Sequence, residues 1–226
     1  MAGFTYKASP LAVTDEIAES HRMAWQMLAQ PGTWWTGSER LAIAERARQM
    51  FELRATPPWL RNADQVAPSA VAVLSEPTVA VVDKMTLDAG NIDREWAAKA
   101  IADLGDGPYV ELIGVVATIV MIDVFAEAAG VDKAALPSPV DGQPSSERPD
   151  GLGDIGAHVP VLEPFPAANV ARALSLVPEA NKLFRTVSVP TYSAPGFAAL
   201  QWDTPLSRPQ VELVASRVAA LNECFY

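Results

Sequence analysis

The stretch that decides the fold is YVELIGVVATIVMIDVFAEAAG, residues 109–130. Its apolar part, residues 112–129, is just long enough to raise the question of a membrane span. Against a span, the run contains Asp123 and Glu127, follows Glu111, and has no second span or basic flank. The pattern therefore favours a buried core helix, ended by the glycine that closes the stretch.

Composition limits the classes of protein to consider. The chain has 226 residues, half of them apolar, which is enough to bury a core. Its net charge of −10 and pI of about 4.7 argue against a nucleic-acid partner, which needs a basic face to neutralise phosphates. The N-terminus, MAGFTYKASPLAV, lacks the basic and apolar regions of a signal peptide. We expect a cytoplasmic protein without a membrane partner.

Helical spacing of apolar residues recurs along most of the chain. Thr36 and Glu39 have the spacing of a capping box, and Ser207 can cap the last helix. Residues 78–82 are β-branched enough to suggest a strand, but the helical surroundings favour a helix. The predicted fold is all-α, with helices at Thr14–Ala29, Thr36–Leu53, Ser69–Leu87, Asp93–Leu104, Tyr109–Ala129, Ala167–Leu176, Glu179–Val189 and Ser207–Leu221. The third helix is expected to be interrupted or restarted near Pro77.

Residues 137–166 have a different character, because seven of the thirty are proline, four are glycine and no helical period survives. Such composition is typical of a linker or an extended crossing segment. It predicts three parts: a helical domain over residues 1–136, a linker over 137–166, and the N-terminal part of a second domain over 167–226.

An internal repeat supports this division. Shifting the chain by 171 positions places Thr36 on Ser207, and it also aligns Ile43 with Val214, Ala44 with Ala215, Arg46 with Arg217 and Glu52 with Glu223. Two amphipathic helices could give some of these matches by chance, but matched caps together with matched charges favour homology. Cys224 then falls on Leu53, so the first copy has no thiol at that position.

The closing stretch, LSRPQVELVASRVAALNECFY at residues 206–226, holds the only cysteine. Glu212 lies twelve residues before Cys224, and Phe225 and Tyr226 follow. This pattern resembles the alkylhydroperoxidase D-like, or carboxymuconolactone decarboxylase, superfamily, whose motif is a glutamate, eleven residues, Cys-x-x-Cys and a histidine. Residues 109–116 look like the helix that follows the motif in that family, which would make residues 36–130 a first, degenerate copy.

The resemblance implies thiol-dependent reduction of peroxides. Carried over by position, Glu212 matches the proton-relay glutamate and Cys224 matches the resolving cysteine. The peroxidatic residue and the histidine have no counterpart here, so a cycle would need an external thiol or an intermolecular bond. The implied partners are a peroxide, a dithiol electron donor and further copies in a homo-oligomer, with no cofactor. An unbroken helix would separate Glu212 and Cys224 by about 18 Å, so Asn222 is expected to break it.

Three explanations remain open for a sequence that ends before the expected second cysteine. It is a shortened piece, the product of a damaged gene, or the product of a UGA codon that the organism reads as selenocysteine. Some members of the family carry Cys-x-x-Sec, which allows the third explanation.

Other interpretations of the candidate residues compete with peroxide reduction. Cys224 alone could be a small buried residue or a frayed terminal thiol. The carboxylates Glu111, Asp123 and Glu127 could do acid-base work, although such pairs more often face solvent or an arginine. His21 and His158 have no partner at metal-ligand spacing, so we expect no metal. Residues 151–156 contain glycines but follow no strand, which argues against a dinucleotide site.

The alternative from another class is a non-catalytic helical scaffold or oligomerisation subunit. A decarboxylase or lactone-acting enzyme of the same superfamily would need a positioned base, which the sequence does not identify.

Overall fold

A computed structural model of the chain describes residues 4–55, 73–166, 169–192 and 205–221. Within those ranges it has eight α-helices and one pair of two-residue strands, which confirms the predicted all-α class. In chain order the elements are α1 (Asp15–Ala29), α2 (Gly37–Glu52), α3 (Glu76–Leu87), α4 (Arg94–Leu104), α5 (Asp106–Ala128), β1 (Leu152–Gly153), β2 (Val161–Leu162), α6 (Asn169–Arg172), α7 (Pro178–Tyr192) and α8 (Arg208–Leu221).

Helix α5 lies at the centre of the hydrophobic core and contacts α1, α2, α3, α4 and α7. Leu112, Val115 and Ile119 are fully buried along it. By length and composition α5 could cross a membrane, and 67% of its most apolar window is buried inside the fold. In this structure it is the core helix that the sequence predicts.

The helix starts follow local capping chemistry. Thr14 caps α1, Asp93 caps α4, and Thr36 with Glu39 forms a complete capping box at α2. Each cap satisfies amide protons that have no partner inside the helix, so the start is encoded within four residues. These three starts are as predicted.

Helix α3 begins at Glu76, after a Ser75 cap, which agrees with the predicted restart near Pro77; residues 69–72 lie outside the described ranges. One start was predicted wrongly: helix α5 begins at Asp106 rather than Tyr109. The sequence places Pro108 in a turn, but a proline in the first helical turn loses no hydrogen bond. The β-branched residues 78–82 are helical, as expected.

Residues 137–166 form the extended crossing segment, one of the two alternatives that their composition allowed. The Val140 amide donates to the Ala29 carbonyl at 2.9 Å, and the Ser146 amide donates to the Thr33 carbonyl at 2.7 Å. Strands β1 and β2 pair in antiparallel fashion within this segment. The segment is therefore hydrogen-bonded to the loop between α1 and α2.

Helix α7 packs against α1 and α5, and its Leu183 and Val187 belong to the same hydrophobic core as α5. Gly114 of α5 permits the close approach, because a Cβ atom there would lie 2.9 Å from the Cβ of Ala180. The helices on either side of the crossing segment thus share one core. The division into two repeated domains stays a prediction.

The predicted boundaries of α6 and α7 need correction. Only Asn169–Arg172 is α-helical within the predicted helix 167–176, of which residues 167 and 168 lie outside the described part. Pro178 disfavours helical backbone just before it, and the Ser175 hydroxyl accepts a hydrogen bond from the Leu162 amide. Helix α7 continues past residue 189 to Tyr192, with Pro190 inside its last turn.

Candidate functional site at Glu212

Helix α8 carries the one predicted site residue that the structure describes. The Ser207 amide and hydroxyl both donate to the Gln210 side chain, at 2.8 and 3.0 Å, and the helix follows directly. Pro209 is tolerated in its first turn, as expected. Glu212 lies in the second turn, with 41% of its side chain exposed.

Two polar groups lie near the Glu212 carboxylate. The Tyr192 hydroxyl, at the end of α7, is 3.4 Å from Oε2. The Arg208 Nε atom, one turn earlier on α8, is 3.6 Å from Oε1. Burial, and then the negative charge of Glu212, raise the pKa of Tyr192, so its hydroxyl stays protonated at neutral pH and can donate to the carboxylate. Tyr192 was not predictable as a neighbour of Glu212, because no local sequence pattern links the two residues.

Cys224 and Asn222 lie outside the described residues. Helix α8 is regular through Leu221. The separation between Glu212 and the thiol, the break at Asn222 and the role of Cys224 therefore stay predictions.

The carboxylates of α5 are held by arginines. Asp123 accepts from Nε and one terminal nitrogen of Arg48 at 2.7 and 2.8 Å, and Glu127 accepts from Arg54 at 2.7 Å. Both arginines come from α2 or the short turn that follows it. This geometry confirms the arginine-facing interpretation of these two carboxylates over paired acid-base catalysis.

Glu111 is buried with Arg40. Its Oε1 atom lies 3.4 Å from the Arg40 Nε, and its Oε2 accepts from the Trp34 amide at 2.6 Å. Burial raises the pKa of Glu111, while Arg40 and the amides around Trp34 act in the opposite direction. Gly32 leaves room for the carboxylate, since a Cβ there would lie 1.7 Å from Oε1. The pair joins α2 to α5 inside the core, with side chains 7% and 2% exposed.

The two histidines have different environments, one buried and one exposed. His21 is fully buried among Phe4, Tyr6 and Phe125, and its Nδ1 lies 2.5 Å from the Tyr6 hydroxyl. Burial lowers its pKa to about 4, so it is neutral at physiological pH. His158 is exposed in the crossing segment. Among the described residues, no group of three His, Cys, Asp or Glu side chains could hold a metal ion.

The glycines of residues 151–156 do not form a phosphate loop. Strand β1 lies within this stretch and pairs with β2, and no helix begins between them. A dinucleotide fingerprint needs a helix N-terminus directly after the glycine turn. The sequence-based rejection of a nucleotide site here agrees with this topology.

A groove of about 740 Å³ lies between α1 and α7. We call it the α1–α7 groove. Acidic side chains line it from α1 and basic side chains from α7, and apolar side chains of both helices also line it. Its lining includes Glu16, Glu19 and Met23 of α1 and Lys182, Arg185 and Val189 of α7.

Comparison with known proteins identifies no relative of this chain. No family model, curated protein or solved structure matches the chain.

Proposed function

We propose that this chain is a peroxidase-related protein of the alkylhydroperoxidase D-like type, which reduces organic hydroperoxides with thiols through Cys224 and Glu212. The observation that carries the proposal is the placement of Glu212, twelve residues before the only cysteine of the sequence. It lies on a regular helix, with its carboxylate half-exposed and beside a hydroxyl donor. A proton relay requires such an accessible, hydrogen-bonded carboxylate.

The cycle uses one protein sulfur and an external dithiol. Cys224, which matches the resolving cysteine of the family, takes the peroxidatic role in this proposal, because the peroxidatic position has no counterpart in the sequence. Its thiolate attacks the terminal peroxide oxygen, the O–O bond breaks, and the alkoxide takes a proton to leave as an alcohol. One thiol of the donor then attacks the sulfenic acid, which forms a mixed disulfide and releases water. The second donor thiol displaces Cys224 and closes the donor disulfide. One peroxide and one dithiol thus give one alcohol, one water and one disulfide.

Glu212 handles the protons of this cycle. As a carboxylate it accepts the proton of the thiol, and as a carboxylic acid it returns that proton to the leaving alkoxide. The Tyr192 hydroxyl donates to the carboxylate, and the Arg208 Nε atom lies 3.6 Å from it. The donor supplies one sulfur of the mixed disulfide and both sulfurs of the final disulfide, because the sequence has one cysteine.

The test measures consumption of cumene hydroperoxide with dithiothreitol as donor. We expect turnover by the chain, its loss in Cys224→Ser, and a decrease of about 10²- to 10⁴-fold in Glu212→Gln. Glu127→Gln is the matched control, because Glu127 is another exposed helix glutamate beside an arginine, and it should leave turnover unchanged. Equal turnover in the chain and in Cys224→Ser would exclude the proposed chemistry.

A second candidate function is a non-catalytic oligomerisation subunit. The apolar side chains of α8 favour it, since the helix has no buried residue and Val214, Val218 and Leu221 are 57%, 50% and 65% exposed. Apolar stripes of this kind normally face a partner. A scaffold would show no peroxide consumption but would sediment as an oligomer.

A further inference from the structure

Helix α8 carries a stripe of apolar side chains that no other described residue buries. Val211, Val214, Val218 and Leu221 are spaced three and four residues apart, which places them on one face of the helix. Three of them are at least half exposed. A charged residue flanks the stripe: at 3.6 residues per turn, Arg217 lies at its edge, whereas Glu212 lies on the far side of the helix.

The α1–α7 groove has the complementary pattern. Met23 and Val189 are both 48% exposed in it, so it offers apolar surface to an occupant. Glu19 pairs with Arg22, and Lys182 pairs with Glu179. Glu16 and Arg185, in contrast, have no ion-pair partner among the described residues. Each wall therefore has one charge available for an occupant.

The groove and the stripe of one chain do not meet. Glu212 lies beside Tyr192, at the C-terminal end of α7, whereas the groove is lined by α7 residues from Pro178 to Pro190. No residue of α8 lines the groove. An α8 that fills it is therefore most simply the α8 of another copy.

We propose that the α1–α7 groove binds α8 of a second copy of this chain, so that two chains exchange their last helices in a two-fold symmetric dimer. Val214 and Val218 enter the groove over Met23 and Val189. Arg217, at the edge of the apolar stripe, then faces Glu16 on the α1 wall. Because the contact is reciprocal, each dimer contains it twice, and every substitution acts twice. The proposal is independent of peroxide reduction.

The first test is sedimentation equilibrium of the full chain. We expect a dimer, and a dissociation constant raised by at least about a hundredfold in Val214→Asp with Val218→Asp, since two valine side chains lose their apolar burial at each contact. Circular dichroism shows whether the variant keeps its helices. The exposed positions of both residues make unfolding an unexpected outcome.

Charge exchange tests the register. Arg217→Glu should weaken the dimer, and adding Glu16→Arg in the same chain should restore it. Adding Glu95→Arg to Arg217→Glu instead should not restore the dimer, because Glu95 is an exposed glutamate on α4, outside the groove. A chain that is monomeric at every concentration, or a dimer that neither the aspartates nor the charge exchange affects, would overturn the proposal.

Cross-linking separates a second copy from the chain's own helix. One chain carries Met23→Cys and another carries Val218→Cys, each with Cys224→Ser and with different masses. Oxidation of the mixture should give a disulfide between the two species. If the chain with both cysteines instead closes its own disulfide as a monomer, the groove holds its own α8 and the proposal is wrong.

Discussion

Glu111 and Arg40 form the most buried ion pair of the described structure, with side chains 2% and 7% exposed. Removing one partner of such a pair leaves the other charge without compensation in the core. We expect Glu111→Gln to lower the free energy of unfolding by about 3–5 kcal/mol, measured by urea denaturation.

Glu127→Gln on the same helix is the matched control, because the Glu127–Arg54 pair is about half exposed. Loss of the Glu127–Arg54 pair should lower the free energy of unfolding by about 0–1 kcal/mol. Equal losses in the two variants would show that the Glu111–Arg40 pair is not buried as described.

His21 makes stability depend on pH. Its pKa is lowered by burial from an ordinary value of 6.5 to about 4, so between these values the unfolded chain binds more protons than the folded chain. The contribution of His21 to stability is therefore complete above pH 6.5 and is lost as the pH falls toward 4, by up to about 3 kcal/mol.

Urea denaturation at pH 7 and at pH 4.5 measures this loss. The loss of stability between pH 7 and pH 4.5 should be smaller in His21→Gln than in the unmodified chain. In His158→Gln, which alters the only other histidine of the sequence, this loss should equal that of the unmodified chain. The same pH dependence in all three proteins would contradict a buried, neutral His21.

At the residue scale, the sequence predicted kinds of partner but not their identities. A carboxylate on an apolar helix must be satisfied once it is buried, so arginine partners for Asp123 and Glu127 could be expected. Arg48 and Arg54 themselves lie more than seventy residues away along the chain. For the same reason Arg40 and Tyr192 were missed, since a contact at long range leaves no local pattern.

At the element scale, the starts of α1, α2 and α4 were predictable because a cap and its helix lie within a few residues of each other. The ends of α6 and α7 were not, because they depend on distant contacts. The Ser175–Leu162 hydrogen bond that accompanies the end of α6 comes from β2. The packing of α7 on α5 also crosses the segment that composition marks as a linker.

The α5–α7 contact can be tested at Gly114. We expect Gly114→Val to destabilise the chain by about 1–3 kcal/mol, because the new side chain overlaps Ala180. Adding Ala180→Gly to this variant should recover part of the lost stability, because it removes the methyl group that the new side chain overlaps. Ala117→Val, a half-buried position on the same helix, is the control and should cost less. Thermal unfolding followed by circular dichroism measures all four proteins.

At the scale of the whole molecule, the buried core is formed by α1 to α5 and α7, while the predicted chemistry lies on the exposed α8. The helical class and the Glu212–Cys224 spacing could be read from the sequence. The pairing of Glu212 with Tyr192 could not, since it depends on how α8 follows α7 in space. A buried helical core therefore lies beside an accessible helix, α8, which carries the proposed proton relay.

The most direct test is to trap the oxidised sulfur. The chain is treated with one equivalent of cumene hydroperoxide in the presence of dimedone, which reacts with sulfenic acids, and is then digested for mass spectrometry. We predict a dimedone adduct on Cys224, with a strongly reduced rate of formation in Glu212→Gln and an unchanged rate in Glu127→Gln. A Cys224 that stays a free thiol under these conditions, or an adduct that forms equally fast in both variants, would contradict the account.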